Sequence, residues 1–223
     1  MTDNNEQYPF PRVNIFVLRH GEIATGDTRR FVGQRDLPLT ETGIEQARLW
    51  QQELAPIRFN RIFTSDLPRC LETTAIVAET QEARIEEVPA FREINLGEWQ
   101  GIEVDEIRRL YPDQFEQRGR NIANFRPPGG ESFSDLYDRV APVFEDITQG
   151  LEGAALIVCH SGVIKVMLCR ALDLDVSNVL KLEQTYSALN VIERAGPYFR
   201  LYAMNIPPAA GIIPLKYWPN SKM

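Results

Sequence analysis

The feature that most constrains the fold of this chain is a repeated pattern: a short apolar run, then polar residues, then a helical pattern. The apolar runs are VNIFVL (13–18), RIFTS (61–65) and AALIVC (154–159). Each is short, rich in β-branched residues and nearly continuous, which is typical of strands covered on both faces. The alternation of such strands with helices predicts an α/β fold around a largely parallel sheet.

The segments after these runs have the spacing and the end signals of helices. LTETGIEQARLWQQEL predicts a helix that Thr40 caps. SDLPRCLETTAIVAE predicts a second helix, with Asp66 as its cap and a buried stripe of Leu71, Ala75 and Ala78. HSGVIKVMLCRAL predicts a mostly buried helix, and GGESFSDLYDRVAPVFEDI predicts one that starts with a capping box. SALNVIER and YFRLYAMN predict two strands near one end of the sheet.

Polar residues follow each of the three strand-like runs directly. In a parallel sheet the carboxyl ends of the strands meet at one edge, and ligands bind there. This rule places three sets of side chains on the same edge: Arg19 with His20, Ser65 with Asp66, and His160. The chain has 2 histidines, and both come at the end of a buried strand. A shared chemical role is therefore favoured over two unrelated structural residues.

The composition argues against several classes of function. The net charge is −7, so nothing favours non-specific binding to nucleic acids or to anionic membranes. No stretch approaches the ~20 apolar residues of a membrane span, and the first residues lack a secretory signal pattern. Cys70, Cys159 and Cys169 form neither a disulfide framework nor a CxxC pair, so we expect a reducing, cytoplasmic location.

Several common catalytic arrangements do not fit the residues around His160. Two histidines without HExxH or CxxC spacing make a poor zinc site, so we expect no metal and no cofactor. Ser161 lacks the leading glycine of a G-x-S-x-G elbow. Cys159 lacks the arginine that a thiolate phosphatase loop needs six residues on, because Lys165 stands there. An imidazole nucleophile remains, and it can attack phosphorus when arginines neutralise the phosphate oxygens.

Arginines and glycines beside the histidines suit a phosphate ligand. Arg19 precedes the first histidine, Arg69 lies early in the helix after the second run, and guanidinium groups match phosphate oxygens bidentately. Gly21 and Gly162 would let backbone N–H groups approach an anion closely. His160 would donate to a phosphoryl oxygen as a cation, a role that requires a raised pKa. Such a site requires the two imidazoles to lie within about 10 Å of each other.

Five motifs surround these residues along the chain: LRHGE, RFVGQRDLPLTETG, TSDLPRCLETT, FREINLGEWQG and CHSGV. In this order they resemble the motifs of the histidine phosphatase superfamily, the phosphoglycerate mutase-like proteins, from about residue 13 to 192. The resemblance implies a three-layer α/β sandwich with a mostly parallel central sheet and a small cap inserted over the edge. We therefore expect a single domain over residues 1–223, with a cap insertion at about 94–131 and a C-terminal tail at 207–223.

The resemblance also implies roles for particular residues. His20 would be transiently phosphorylated, Glu93 would protonate the leaving oxygen and later deprotonate water, and His160 would complete the catalytic set. The expected substrate-binding residues are Arg19, Arg69, Gly21, Gly33, Gln34, Ser161 and Gly162. The chain differs from the family pattern at Gly26, where asparagine is frequent, and at Ser161, where glycine or alanine is frequent.

Together these residues predict a metal-independent phosphomonoester hydrolase that acts through a phosphohistidine on a small phosphorylated metabolite. GQRDLPLTETG and RPPGGESFSDLYDRV most resemble alpha-ribazole phosphatases and broad-specificity relatives, so alpha-ribazole phosphate is a candidate substrate. The arginines between Glu93 and His160 alternate with acids, which indicates a solvated cap rather than the longer basic cap of a mutase. A cofactor-dependent phosphoglycerate mutase and a non-catalytic phosphate-binding regulatory module remain alternatives.

Two further segments leave alternatives open. The tail, IPPAAGIIPLKYWPNSKM, is rich in proline and apolar residues and would pack either over the domain or against a second copy, as in a homodimer. Glu131 and Ser132 would either border the substrate pocket or cap the helix that follows them.

Overall fold

The computed structural model describes residues 10–26 and 28–208, in which strands and helices alternate. The strands are β1 (Arg12–Arg19), β2 (Arg61–Thr64), β3 (Arg84–Glu87), β4 (Gly153–Cys159), β5 (Leu189–Ala195) and β6 (Tyr198–Ile206). The helices are α1 (Glu41–Leu54), α2 (Pro68–Val77), α3 (Val104–Leu110), α4 (Pro112–Arg120), α5 (Phe133–Thr148) and α6 (Ser161–Ala171). Short 3₁₀ helices include Pro89–Phe91, Gly97–Trp99 and Val176–Lys181.

The strands form one six-stranded mixed sheet in the order β3-β2-β4-β1-β5-β6. The first four of these run parallel, and β5 and β6 join antiparallel at one end. Arg19 pairs with Cys159 and Thr64 with Val158, so the carboxyl ends of β1, β2 and β4 reach the same edge. The predicted α/β fold with a mostly parallel sheet is confirmed, as are the two strands predicted near its end.

Helices cover both faces of the sheet, which confirms the three-layer arrangement. Phe16 and Leu18 of β1 pack in a cluster with α1 and α2, whereas Ile15 and Val17 pack in a cluster with α5 and α6. Successive side chains of a strand point to opposite faces, so one strand contributes to both cores. All four side chains are at most 1% exposed.

The helix ends follow the sequence predictions in two cases and differ in a third. Thr40 accepts a hydrogen bond within the first turn of α1, and Ser132 begins a capping box at the start of α5. Asp66 does not cap α2, because the residue at the N-cap position is Leu67. The Asp66 carboxylate instead pairs with the Arg92 guanidinium at 2.6 Å.

The predicted buried stripe of α2 is wrong. Of its three members only Ala78 is buried, while Ala75 is exposed and Leu71 is half-buried. The buried residues of the helix are Arg69, Cys70, Thr73, Thr74 and Val77. Polar side chains tolerate burial when they are hydrogen-bonded, and Thr74 Oγ1 lies within hydrogen-bond distance of a backbone carbonyl of its own helix and of Thr64 Oγ1 of β2. Apolar spacing therefore indicated the wrong face of this helix.

The predicted cap insertion, residues 94–131, contains α3 and α4. Ile107 of α3 is fully buried in the cluster that also holds α5 and α6, whereas α4 has no buried residue. Residues 209–223 of the predicted tail lie outside the described residues, so its packing and a homodimer stay predictions. Within the described ranges, no helix is both long enough and apolar enough to cross a membrane.

Candidate active site

The edge formed by β1, β2 and β4 brings the two histidines together. His20 follows β1 and His160 follows β4, and their ring centroids lie 5.1 Å apart. The backbone of His20 is held on both sides, because its N–H donates to Cys159 and its carbonyl accepts from Ser187. His20 is 3% exposed and His160 is fully buried. The separation of the rings is well inside the limit that a shared phosphoryl site requires.

His20 is held as one particular neutral tautomer. Its Nδ1 lies 2.8 Å from the carbonyl oxygen of Gly21, and a carbonyl can only accept a hydrogen bond. The proton therefore sits on Nδ1, and Nε2 keeps its lone pair. Burial, reinforced by the charges of Arg19 and Arg69, holds the pKa of His20 well below its ordinary value. The ring is thus neutral and nucleophilic at Nε2 over the physiological pH range.

Two arginines beside His20 are held by backbone carbonyls. Arg19 Nη1 donates to Gln184 O at 2.8 Å, and Arg69 donates to Gly33 O and Arg35 O, both at 2.8 Å. Neither guanidinium pairs with a carboxylate of the described residues, and the buried Nε of each has no partner there. Burial lowers the pKa of Arg19. Buried cations with unused donors are the groups expected around a bound anion.

The ring of His160 lies against Ser65 and Cys70. Its Nε2 lies 2.8 Å from Ser65 Oγ and 3.4 Å from Cys70 Sγ. Burial is the main reason that the pKa of His160 lies well below its ordinary value, and the charge of Arg69 lowers the pKa further. The role as a cation requires a raised pKa, whereas a fully buried site among cations favours the neutral ring. The protonated form of His160 becomes favourable only when a negative charge is added nearby.

Glu93 follows the 3₁₀ helix Pro89–Phe91, and its carboxylate lies over the first turn of α6. One oxygen accepts from Ile94 N at 2.9 Å, and the other from Gly162 N at 3.1 Å. A Cβ atom on Gly162 would lie only 2.3 Å from Glu93 Oε1, so the glycine makes room for the carboxylate. The Glu93 carboxylate therefore lies at the N-terminal end of α6, whose N-cap residue is His160.

Four of the expected substrate-binding residues make hydrogen bonds within the protein. The N–H of Gly21 donates to Thr73 Oγ1 at 3.1 Å, so it is not free for an anion. Gly33 supplies a carbonyl to the guanidinium of Arg69. Gln34 Nε2 donates to Glu93 O at 2.8 Å. The N–H of Gly162 donates to Glu93, as described above, so Gly33, Gln34 and Gly162 help to position Arg69 and Glu93.

An ion pair that sequence reasoning missed fixes the segment that carries Glu93. Arg139 of α5 donates to Ala90 O at 2.6 Å and to Arg92 O at 3.0 Å, and it pairs with Glu131 at 2.9 Å. Glu131 also accepts from Asn95 N at 2.8 Å. Glu131 therefore holds the Glu93 segment in place, whereas Ser132 caps α5. Arg139 is distant in sequence from this segment, and only the fold places α5 beside it.

A cavity of about 720 Å³ is lined in part by Arg19 and Ser161, which are the neighbours in sequence of the two histidines. Tyr186 forms part of its wall and was also missed, because it lies in an irregular segment before β5. The Arg19 guanidinium carbon lies 3.9 Å from the centre of the Tyr186 ring, and the His20 ring lies 5.7 Å from it. Among the described residues, no group of three His, Cys, Asp or Glu side chains could hold a metal ion.

The family model of the histidine phosphatase superfamily (branch 1) matches residues 15–207. The chain belongs to the histidine phosphatase superfamily. Phosphoserine phosphatase 1 of Hydrogenobacter thermophilus is 28% identical over 193 residues, which cover 85% of this chain and 92% of that protein. The 2,3-bisphosphoglycerate-dependent phosphoglycerate mutase 2 of Gloeobacter violaceus is 31% identical over 178 residues, 77% of this chain and 81% of that protein.

Solved structures of the superfamily share the fold. The alpha-ribazole phosphatase of Shigella flexneri superposes with a TM-score of 0.80 at 21% identity, covering 86% of this chain and 96% of that chain. The relatives thus include named phosphatases and a named mutase, and the chain is an enzyme of this phosphatase and mutase family.

Proposed function

We propose that the chain is a metal-independent phosphomonoester hydrolase that acts through a phosphohistidine at His20. The observation that carries this proposal is the tautomer of His20. Its Nδ1–H is donated to Gly21 O, so the lone pair of Nε2 is available beside two guanidinium groups that lack carboxylate partners among the described residues. A structural histidine has no need of this combination, whereas a nucleophile that attacks an anion does.

In the first step, His20 Nε2 attacks the phosphorus of the monoester in line with the leaving oxygen. The N–P bond forms as the P–O bond breaks, and negative charge on the equatorial oxygens is stabilised by Arg19 and Arg69. The dianionic phosphoryl group raises the pKa of His160, whose ring then donates to a phosphoryl oxygen as a cation. The low pKa of His160 in the protein alone is compatible with this role.

Glu93 handles the protons in both steps. Its carboxyl group gives a proton to the departing alkoxide, so the alcohol leaves in neutral form. A water molecule then loses a proton to the Glu93 carboxylate and attacks phosphorus, which breaks the N–P bond and releases inorganic phosphate. The guanidinium groups and His160 supply the positive charge for both transfers. We therefore expect full activity in the presence of EDTA.

Phosphate hydrolysis is favoured over isomerisation by the charge pattern of the predicted cap. Arg108, Arg120 and Arg126 pair with acids at the surface, as a solvated cap would. The mutase alternative keeps some support from the relative that is named a mutase. Incubation with 3-phosphoglycerate and 2,3-bisphosphoglycerate tests it, because a mutase would form 2-phosphoglycerate under these conditions. Alpha-ribazole phosphate remains one candidate substrate for the hydrolase.

Trapping of the covalent intermediate tests the proposed function. The enzyme is mixed with a phosphomonoester, quenched within milliseconds, digested and analysed by mass spectrometry for acid-labile phosphate. We expect the label on His20 alone, and we expect His20→Ala to retain less than about 1% of turnover. Thermal unfolding of the variant checks that it is folded. A label on another side chain, or greater residual turnover in the variant, would contradict the proposal, and a regulatory module would give no label.

A further inference from the structure

Residues 184–188, which directly precede β5, contact Arg19 at three points. The carbonyl oxygen of Gln184 accepts from Arg19 Nη1 at 2.8 Å, and the backbone N–H of Arg19 donates to the carbonyl oxygen of Ala188 at 3.0 Å. Between these two contacts, the Tyr186 ring lies against the guanidinium group, whose carbon is 3.9 Å from the ring centre. One short stretch, which we call the 184–188 segment, therefore holds both the backbone and the side chain of Arg19.

Ser187, within the 184–188 segment, has an unfavourable conformation. It is fully buried, its φ is 55°, and its hydroxyl oxygen has no hydrogen-bond partner among the described residues. A left-handed backbone at a residue other than glycine and an unpaired buried hydroxyl both destabilise a folded chain, and strained residues cluster at functional sites. Ser187 is nevertheless fixed, because its N–H donates to His20 O at 3.0 Å and its carbonyl accepts from Trp50 Nε1 at 2.7 Å. The fold therefore keeps an unfavourable residue where the segment meets the proposed nucleophile.

A pair of buried amides fixes the other end of the 184–188 segment. Gln184 Nε2 donates to Asn190 Oδ1 at 2.9 Å, and Asn190 Nδ2 donates to Gln184 Oε1 at 2.8 Å. Asn190 Nδ2 also donates to Val17 O of β1 at 3.2 Å, and Asn190 Oδ1 accepts from the backbone N–H of Asn205 in β6 at 3.0 Å. Buried polar groups that are hydrogen-bonded in this way make a structure rigid. The sheet therefore gives Tyr186 a rigid support.

The aromatic ring of Tyr186 takes the place of a carboxylate beside Arg19. An arginine that is largely removed from water is ordinarily paired, but Arg19 has no carboxylate partner in the part of the chain that the structure describes. A carboxylate would neutralise the cation and occupy its N–H donors. The face of an aromatic ring attracts a cation and leaves the donors in the plane of the guanidinium group unoccupied. A ring therefore holds the arginine in place and keeps its donors available for a phosphoryl group.

We propose that Tyr186 is a positioning residue, whose aromatic face holds the Arg19 guanidinium group in the orientation that binds the phosphoryl group. This role rests on the proposed function, because it presumes that the phosphoryl group lies at His20. The Tyr186 ring is 5.7 Å from the His20 ring, and both Tyr186 and Arg19 line the cavity described above. The ring acts through the cation and not through the leaving group, so its contribution is the same for every phosphomonoester.

Two substitutions of Tyr186 test this role. Tyr186→Phe keeps the aromatic face, whereas Tyr186→Leu keeps an apolar side chain without one. We expect Tyr186→Leu to lower kcat/KM about 10-fold, or about 1.4 kcal/mol, equally for glycerol 3-phosphate and for p-nitrophenyl phosphate, because this is the size of a partly desolvated cation–π contact. Tyr186→Phe should stay within about twofold of the wild type. Calorimetric binding of orthovanadate, a phosphate analogue, should weaken by the same two factors, and this measurement needs no turnover.

Tyr198→Leu is the matched control. Tyr198 pairs with Ala195, which also pairs with Arg12 at the start of β1, so Tyr198 lies at the opposite edge of the sheet from His20. This change should alter neither kcat/KM nor the affinity for orthovanadate. Thermal unfolding checks that each variant is folded, and Tyr186→Met replaces Tyr186→Leu if the leucine variant is not.

Unchanged kcat/KM and affinity in Tyr186→Leu would overturn the proposed role, as would equal losses in the leucine and phenylalanine variants. A larger loss with p-nitrophenyl phosphate than with glycerol 3-phosphate would also overturn it, because Tyr186 would then contact the leaving group. Phosphohistidine formation by the wild-type enzyme is scored separately. A protein that binds orthovanadate with the expected factors but forms no phosphohistidine refutes only the proposed function.

Discussion

Gly162→Ala is a direct test of Glu93 as the proton donor. The new Cβ would lie 2.3 Å from Glu93 Oε1 and 3.3 Å from its Cδ. Ordinary contact requires more than 3 Å between such atoms, so the carboxylate must move by about 1 Å. The carboxylate is the end of a side chain, and it moves more easily than the backbone of α6. The substitution therefore displaces the proton donor and leaves the histidines and arginines in place.

The size of the effect follows from the role of a general acid. General acid catalysis contributes about 10²- to 10⁴-fold, and a misplacement of 1 Å costs on the order of 100-fold. We expect the rate constant for phosphorylation of His20 by an alkyl phosphate such as glycerol 3-phosphate to fall about 100-fold, or about 2.7 kcal/mol. p-Nitrophenyl phosphate has a leaving group that departs without a proton, so the same rate constant with this substrate should fall less than about fivefold.

Single-turnover rates of His20 phosphorylation with the two substrates, measured by rapid quench on the same preparation, give the required ratio. Alanine is favoured over glycine in helices by up to about 1 kcal/mol, so thermal unfolding should detect no loss of stability. Gly119→Ala in α4 is the matched control, because a Cβ there meets no atom within 4 Å and activity should not change. An equal loss with both substrates would show that Gly162 acts through something other than protonation of the leaving group. Unchanged rates would exclude Glu93 as the acid.

Three further predictions concern pH, the segment that carries Glu93, and the cysteines. Both histidines have lowered pKa values in the folded protein, so the unfolded chain takes up protons first as the pH falls. Below about pH 6.5 the free energy of unfolding should therefore decrease by up to about 1.4 kcal/mol per pH unit per histidine. Urea unfolding from about pH 8 to about pH 5 measures this decrease, and a flat profile would contradict it. Arg139→Met removes the hydrogen bonds to Ala90 O and Arg92 O, which hold the segment that carries Glu93. The rate of His20 phosphorylation should therefore fall about 10-fold with alkyl phosphates and little with p-nitrophenyl phosphate, and equal losses would indicate general destabilisation. Burial raises the pKa values of all three cysteine thiols. A chromogenic disulfide reagent at about pH 8 should therefore label no cysteine in the native protein and all three after denaturation. Rapid labelling of the native protein would contradict their burial.

The sequence predicted the elements whose patterns are local and strong. Three continuous apolar runs predicted β1, β2 and β4, because strands buried on both faces have few other compositions. The rule that ligands bind at the carboxyl ends of parallel strands then placed His20 and His160 on one edge. β3 was missed, because Arg84–Glu87 has three exposed residues out of four and no apolar alternation. It forms only because β2 offers a free side for parallel pairing.

Within the candidate site, residue identity was easier to predict than residue role. Gln34 and Gly162 were predicted to bind substrate, and in the structure both donate hydrogen bonds to Glu93, which no local pattern indicated. The charge of His160 depends on burial and on Arg69, which is distant in sequence, so no local pattern could indicate it. Arg139 reaches the site from a separate helix and left no signal in the motif around Glu93.

The double role of residues 29–35 determines how this enzyme could be redesigned. Arg29, Arg30 and Val32 border the cavity, while Gly33 and Arg35 offer carbonyl oxygens to the guanidinium of Arg69. Those oxygens belong to the main chain, so new side chains at the bordering positions can alter ligand preference without displacing Arg69, which we propose binds the phosphoryl group. Inserting or deleting a single residue within residues 29–35 would shift both carbonyl oxygens, and activity should be lost with every substrate.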